Sequence, residues 1–124
     1  MTVTRDIDPD RAGDLLERAP RACLAVAGDH GAQALPVAFA WIDGRYLAGV
    51  AANTGRLPDP GDEVVLLVDD GVHFFDLRAV YVRGRAEATT GPADPTDGLT
   101  WFEVVPQRTV AWDYGQMREV DDGA

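Results

Sequence analysis

Residues 34–50, Ala-Leu-Pro-Val-Ala-Phe-Ala-Trp-Ile-Asp-Gly-Arg-Tyr-Leu-Ala-Gly-Val, decide the fold. Asp43-Gly44 is the strongest short hairpin signal in the chain, because a two-residue turn needs positive φ and Asp-Gly supplies it cheaply. It separates a strand read over Ala34–Ile42 from one read over Arg45–Val50. Pro36 has no N–H to give to a ladder, which places its strand at an edge or puts a bulge there. Just upstream, Ala22–Ala27 is a compact apolar run followed by a turn at Gly28-Asp29-His30-Gly31.

The same punctuation continues outward. Ala51–Gly61 is the longest loop, and Pro58 and Pro60 forbid a regular helix there. Glu63–Val68 reads as a buried strand, Asp69-Asp70-Gly71 as a turn and Val72–Asp76 as a short return strand. Over Arg78–Ala88, Val80 and Val82 fall on one side of the pleat and Tyr81, Arg83 and Arg85 on the other, with Gly84 marking a bulge or a close approach. Thr89–Gly98 is loop, Trp101–Val105 is ambiguous with a helical turn as one reading, and Arg108–Asp113 is a last strand. Toward the N-terminus, Asp8 suits an N-cap and Pro9 the first helical position, and Ala12, Leu15, Leu16 and Ala19 make one apolar stripe that Pro20 ends. Short strands at close spacing after one helix predict a mainly β domain, an antiparallel barrel over 21–113, with helix 8–19 before it and a tail at 114–124.

Composition narrows the function. Hydrophobic residues make up 46% of the 124, enough for a core, and no apolar run approaches the roughly 18 residues of a membrane helix. Met1–Asp10 lacks the build of a signal peptide, so a soluble, cytoplasmic chain is expected. Asp and Glu number 21 against 11 basic residues, all arginine, for a net charge of -10. A phosphate backbone or an anionic membrane demands the opposite sign, which argues against both as partners. The absence of lysine removes Schiff-base chemistry, and one cysteine with two histidines excludes a disulfide and an all-histidine metal cage within one chain.

Catalytic templates fail in turn. There is no serine at all, and no GxSxG, HExxH, GxGxxG or Walker motif. Cys23, inside an apolar strand, reads as a buried structural thiol, His30 as a solvated turn residue and His73 as a half-buried strand residue. Asp69-Asp70 reads as turn chemistry rather than as paired carboxylates. Two places remain. Trp101, Phe102, Trp112 and Tyr114 form an aromatic cluster suited to closing the barrel, to a dimer contact or to walling a flat ligand. Asn53-Thr54-Gly55-Arg56 brings a hydroxyl, a glycine and a guanidinium together in one loop, a combination able to hold phosphate.

The order of these segments resembles the pyridoxamine 5′-phosphate oxidase-like, FMN-binding split barrels over about Leu15–Met117. The likeness runs through RACLAVAGDHGAQALPVAFAWIDGRYLAGVAANTGR, then EVVLLVDDGVHFFDLRAVYVRGRAEATT with its Arg83-Gly84-Arg85-Ala86 run. It ends at WFEVVPQRTVAWDYGQM, similar to the Pro-x-Arg-x-x-x-Trp-Asp close of many actinobacterial members. The resemblance implies a six-stranded antiparallel Greek-key split barrel working as a homodimer with two cofactor sites at the subunit interface. Members bind FMN or the deazaflavin coenzyme F-420, some bind haem, and some have lost the cofactor. By the same likeness Pro36, Val37 and Ala38 lie along the isoalloxazine, Thr54 and Arg56 hold the phosphate beside Asn53, and Trp112 belongs to the site, while Gly55 stands where a basic residue is expected. Leu57–Asp62 replaces the family's phosphate-side helix with two prolines and two aspartates, removing helical amides and adding negative charge. Weak FMN binding is the consequence expected. Two functions follow: a flavin- or deazaflavin-dependent oxidoreductase acting on a small organic molecule, or a cofactor-free protein that binds or transforms a small hydrophobic molecule without redox chemistry. A dimeric interaction module without a ligand is a third.

Overall fold

The computed structural model describes residues 2–4, 6–7, 13–27, 31–51, 57–70, 77–92, 98–113 and 118–120. Its elements in chain order are β1 (Thr2–Thr4), β2 (Asp6–Ile7), α1 (Gly13–Arg18), β3 (Arg21–Val26), β4 (Gln33–Ile42), β5 (Arg45–Ala51), β6 (Glu63–Asp70), β7 (Arg78–Ala88), β8 (Leu99–Asp113) and β9 (Arg118–Val120). Strands β3, β4 and β5 follow one another as hairpins, and β6 returns to lie beside β3, which is a Greek key. Neighbours run β8-β5-β4-β3-β6-β7, and β7 pairs with β8 to close a six-stranded antiparallel barrel. β2 adds to the far end of β8, with Asp6 opposite Trp112. β1 and β9 form a separate two-stranded pair, so part of the stretch read as a tail is strand.

Period-two alternation builds the interior. Leu24 and Val26, Val37 and Phe39, Ala48 and Val50, Leu66 and Val68, Val80 and Val82, Phe102 and Val104 all point inward and are buried. Helix α1 contributes Leu15 and Leu16. Six residues cannot sustain a helix alone, whereas burying two leucines is worth about 1.5–3 kcal/mol each, so packing rather than propensity holds it. The N-cap candidate Asp8 and Pro9, read as the first helical position, lie outside the described residues.

The Asp43-Gly44 turn is as expected, with φ of 54° and 73°, the double positive φ of a mirror-image two-residue hairpin. Pro36 sits where β4 is paired with β3 alone: its ladder with β5 begins only at Ala38 opposite Gly49. The missing N–H is thereby accommodated at an open edge. The pairing of β7 with β8 shifts register between Arg83 and Gly84, and a Cβ on Gly84 would overlap the Val105 carbonyl.

Three readings are corrected. Trp101–Val105 is neither a helical turn nor a separate strand but runs unbroken into Arg108–Asp113 as the 15-residue β8. Pro106 falls opposite Gly84 next to the bulge at Gln107, where the ladder is already interrupted. Asp69 and Asp70 do not turn the chain; they end β6, with Asp70 opposite Arg78. The Asp70 carboxylate takes two guanidinium hydrogen bonds from Arg78, at 2.8 and 3.2 Å, and the same guanidinium donates to Asp14 of α1 at 2.9 Å. Cys23, in turn, is not inside the core but half-buried on the outer face of β3. The return strand proposed at Val72–Asp76, with His73, lies outside the described residues, as do His30 and Tyr114.

Candidate functional site

Alternation has a second consequence: every strand with an apolar inner face also presents an outer one. Pro36 lies opposite Cys23, Cys23 opposite Leu67, Leu67 opposite Tyr81 and Tyr81 opposite Val110. One apolar row therefore crosses five strands on the outside of the barrel. It ends in a groove of about 330 Å³ lined by Tyr81, Arg83, Arg108, Val110 and Trp112, a volume at the lower end for small-molecule sites.

Each wall of this groove has a local cause. Tyr81 and Arg83 are outward positions of β7, and Arg108, Val110 and Trp112 are outward positions of β8. Tyr81 and Trp112 are diagonal cross-strand neighbours with ring centroids 6.1 Å apart and planes inclined at 59°. That leaves open ring area for a flat molecule. Arg83 stands directly opposite Arg108 across the ladder, so two cations flank the aromatic pair. The nearest carboxylate among the described residues, Glu63, reaches Arg83 Nε only at 3.8 Å, and both side chains are about half exposed, which makes a weak pair. Arg85, one outward position further on, is turned away and donates to the Gly61 carbonyl at 2.8 Å.

The residues expected to form the site fall on different parts of the barrel. Trp112 lines the groove. Pro36 and Ala38 lie on the outer face of β4, and Val37 turns its side chain into the core. Along the paired row, β3, β6 and β7 intervene between them, about 19 Å of sheet at the usual strand spacing. A single chain does not bring them together by that path. Asn53, Thr54 and Arg56 lie outside the described residues. The aromatic cluster divides: Phe102 is in the core, and the Trp101 ring lies over Gly49 and Gly91, where added Cβ atoms would strike it. Arg83, Arg108 and Tyr81 were not singled out for the site from the sequence, although the alternation that places Tyr81 and Arg83 on one face was legible.

The loop after β5 also takes shape. Leu57 packs on the core, Pro58 is buried, and Asp62 accepts a hydrogen bond from the Asp59 amide at 2.9 Å. Gly61 and Asp62 are tied to Ala86 of β7 by backbone bonds of 2.7 and 2.9 Å. Residues 57–62 are thus a pinned turn, with no helix and no helical amides to offer an anion. Among the described residues no group of three His, Cys, Asp or Glu side chains is placed to hold a metal, and no helix is long and apolar enough to cross a membrane.

Compared with known proteins, the chain matches no family model and no curated protein. Solved structures do match. An FAD-binding protein from Mycobacterium smegmatis superposes with a TM-score of 0.69 at 18% identity, covering 87% of this chain and 98% of that one. An FAD- and haem-binding protein from the same organism gives 0.69 at 12% identity over 99% and 78%. A protein from Corynebacterium glutamicum whose name proposes a pyridoxamine 5′-phosphate oxidase gives 0.64 at 19% identity over 92% and 96%. At these identities the likeness establishes the fold: the chain is a split barrel of the kind seen in FAD-binding and pyridoxamine 5′-phosphate oxidase-like proteins.

Proposed function

We propose that this split barrel binds a flavin-type cofactor, FMN, FAD or the deazaflavin coenzyme F-420, and passes a hydride between it and a small organic molecule at a site shared by two copies of the chain. The observation that carries the reading is the groove on β7 and β8, where two tilted aromatic rings and two guanidinium groups meet on a fold whose solved neighbours include proteins named for FAD binding. A flat ring with an anionic side chain has the matching chemistry. When bound, the cofactor supplies the hydride chemistry, and the protein's part is to hold and orient it, so the lack of a nucleophile or acid–base dyad is no obstacle. Within that role, Trp112 and Tyr81 would wall the ring and Arg83 and Arg108 would offset its charge.

The homodimer belongs to the same proposal. Pro36 and Ala38 on β4 and Trp112 on β8 stand apart on one barrel, and a second copy seated on the outer apolar row would set the β4 segment of one protomer against the groove of the other. Cys23, Leu67 and Val110 would then be covered, an arrangement that offsets the exposure of an apolar row five strands wide.

The pinned turn at 57–62 favours a second reading, a cofactor-free protein whose groove takes a small hydrophobic molecule, because it withholds the helical amides that hold a phosphate. Absorbance spectra separate the two. The chain is mixed with FMN, FAD and the deazaflavin in turn and separated from free cofactor by equilibrium dialysis. Uptake of one equivalent per chain is the result expected; no uptake of any of the three decides for the second reading.

A further inference from the structure

In antiparallel sheets, like charges placed directly opposite are unfavourable, and a sequence with 21 acidic residues had ample means to avoid them. Yet Arg83 faces Arg108 across the β7–β8 ladder, beside a bulge. Arg18, Arg45, Arg78 and Arg85 each donate to an oxygen within 3.2 Å. Arg108 has no hydrogen bond or ion pair among the described residues, and Arg83 has only the 3.8 Å contact with Glu63. The two guanidinium groups border a groove whose remaining walls, Tyr81, Val110 and Trp112, are apolar or aromatic. A net-negative molecule has therefore set one guanidinium without a partner among the described residues, and a second with a single weak one, at the rim of an aromatic cleft.

We propose that the groove selects a planar aromatic anion, its ring against Tyr81 and Trp112 and its carboxylate or phosphate between Arg83 and Arg108. The anion removes the Arg83–Arg108 repulsion on binding, so the charge contributes more to affinity here than at an isolated surface arginine. The site shares its location with the proposed cofactor site but rests on charge and register alone, and an aromatic carboxylate satisfies it as well as a flavin phosphate does.

The test compares matched pairs differing in charge: salicylate against salicylamide, and FMN against riboflavin, each titrated into the full-length protein by calorimetry and by quenching of tryptophan fluorescence. The anionic member of at least one pair binds at least tenfold tighter than its neutral partner, and the preference shrinks as salt is raised. In Arg83→Gln with Arg108→Gln the preference disappears while the unliganded protein melts no lower than the parent, whereas Arg45→Gln, at an ion pair on β5, keeps it. A preference for salicylate without binding of FMN upholds the inference and removes FMN, but neither FAD nor the deazaflavin, from the cofactor reading. Equal affinities within both pairs, failure of both anions to bind, or a preference that survives the double substitution overturns it; the first two are read on the unaltered protein.

Discussion

Asp14, at the start of the short helix, binds Arg78 of β7, and Arg78 also binds Asp70 of β6. One guanidinium thereby joins the helix to the barrel. The hydrogen bond from Arg78 holds the Asp14 carboxyl below its ordinary 3.8, and the Asp70 and Asp14 carboxylates raise Arg78 in return. The sign follows from the direction. A carboxyl with a depressed folded-state value adds stability above its unfolded value, and that stability fades as pH falls below 3.8 through the folded one. Asp14→Asn should therefore melt below the parent near neutral pH and converge with it in strong acid, as followed by thermal denaturation across pH. Asp14 is solvent-exposed, so the difference is small. Neither partner was legible as a pair in the sequence: 64 residues separate Asp14 from Arg78, and Asp69-Asp70-Gly71 carries turn chemistry in its composition alone. What extends β6 to Asp70 is the ladder with β7, a tertiary fact.

At the scale of elements, the local signals held wherever backbone chemistry decided the matter. Asp43-Gly44 turned, Gly84 made the close approach to the Val105 carbonyl, Pro36 found an unpaired side of its strand, and Pro58 and Pro60 kept the 57–62 segment from forming a helix. They failed on β8. Trp101–Val105 and Arg108–Asp113 read as separate segments, but the register shift, with Gln107 as the extra residue on β8, places Gly84 opposite Pro106 and lets the strand continue. One register shift, with Gln107 as the extra residue and Gly84 facing it, thus accounts for the longest strand of the barrel and for the alignment of Arg83 with Arg108. Gly84→Ala should be destabilising by about 2 kcal/mol, since the new Cβ must displace backbone rather than a flexible side chain. Denaturant unfolding measures this, and a loss of anion preference alongside it is expected because the groove depends on the same bulge. An unchanged midpoint would show that the bulge relaxes without cost.

For the whole molecule, the sequence pattern reached the barrel because short alternating strands and one amphipathic helix leave few alternatives, and the solved structures share that fold at low identity. The candidate site was legible only in part. Trp112 was reached through resemblance, whereas its companions Tyr81, Arg83 and Arg108 come together through the pairing of two strands, which no single stretch of sequence displays. The outer apolar row leads to a further expectation. Sedimentation at micromolar concentration should find a dimer, burying more than about 2,000 Å² in total as permanent interfaces do. A monomer throughout would leave the β4 segment and the groove as separate surfaces and remove the shared site.

Whether a flavin-type ring lies in the groove at Trp112, as proposed, is decided by one titration. FMN, FAD and the deazaflavin are each added to the parent and to Trp112→Leu, with binding read from the cofactor's own absorbance after equilibrium dialysis. At least one is expected to bind the parent with a dissociation constant in the micromolar range, one per chain, and the substitution to weaken it tenfold or more by removing one aromatic wall. Equal binding to the two proteins, or no binding of any of the three to the parent, would contradict the proposal.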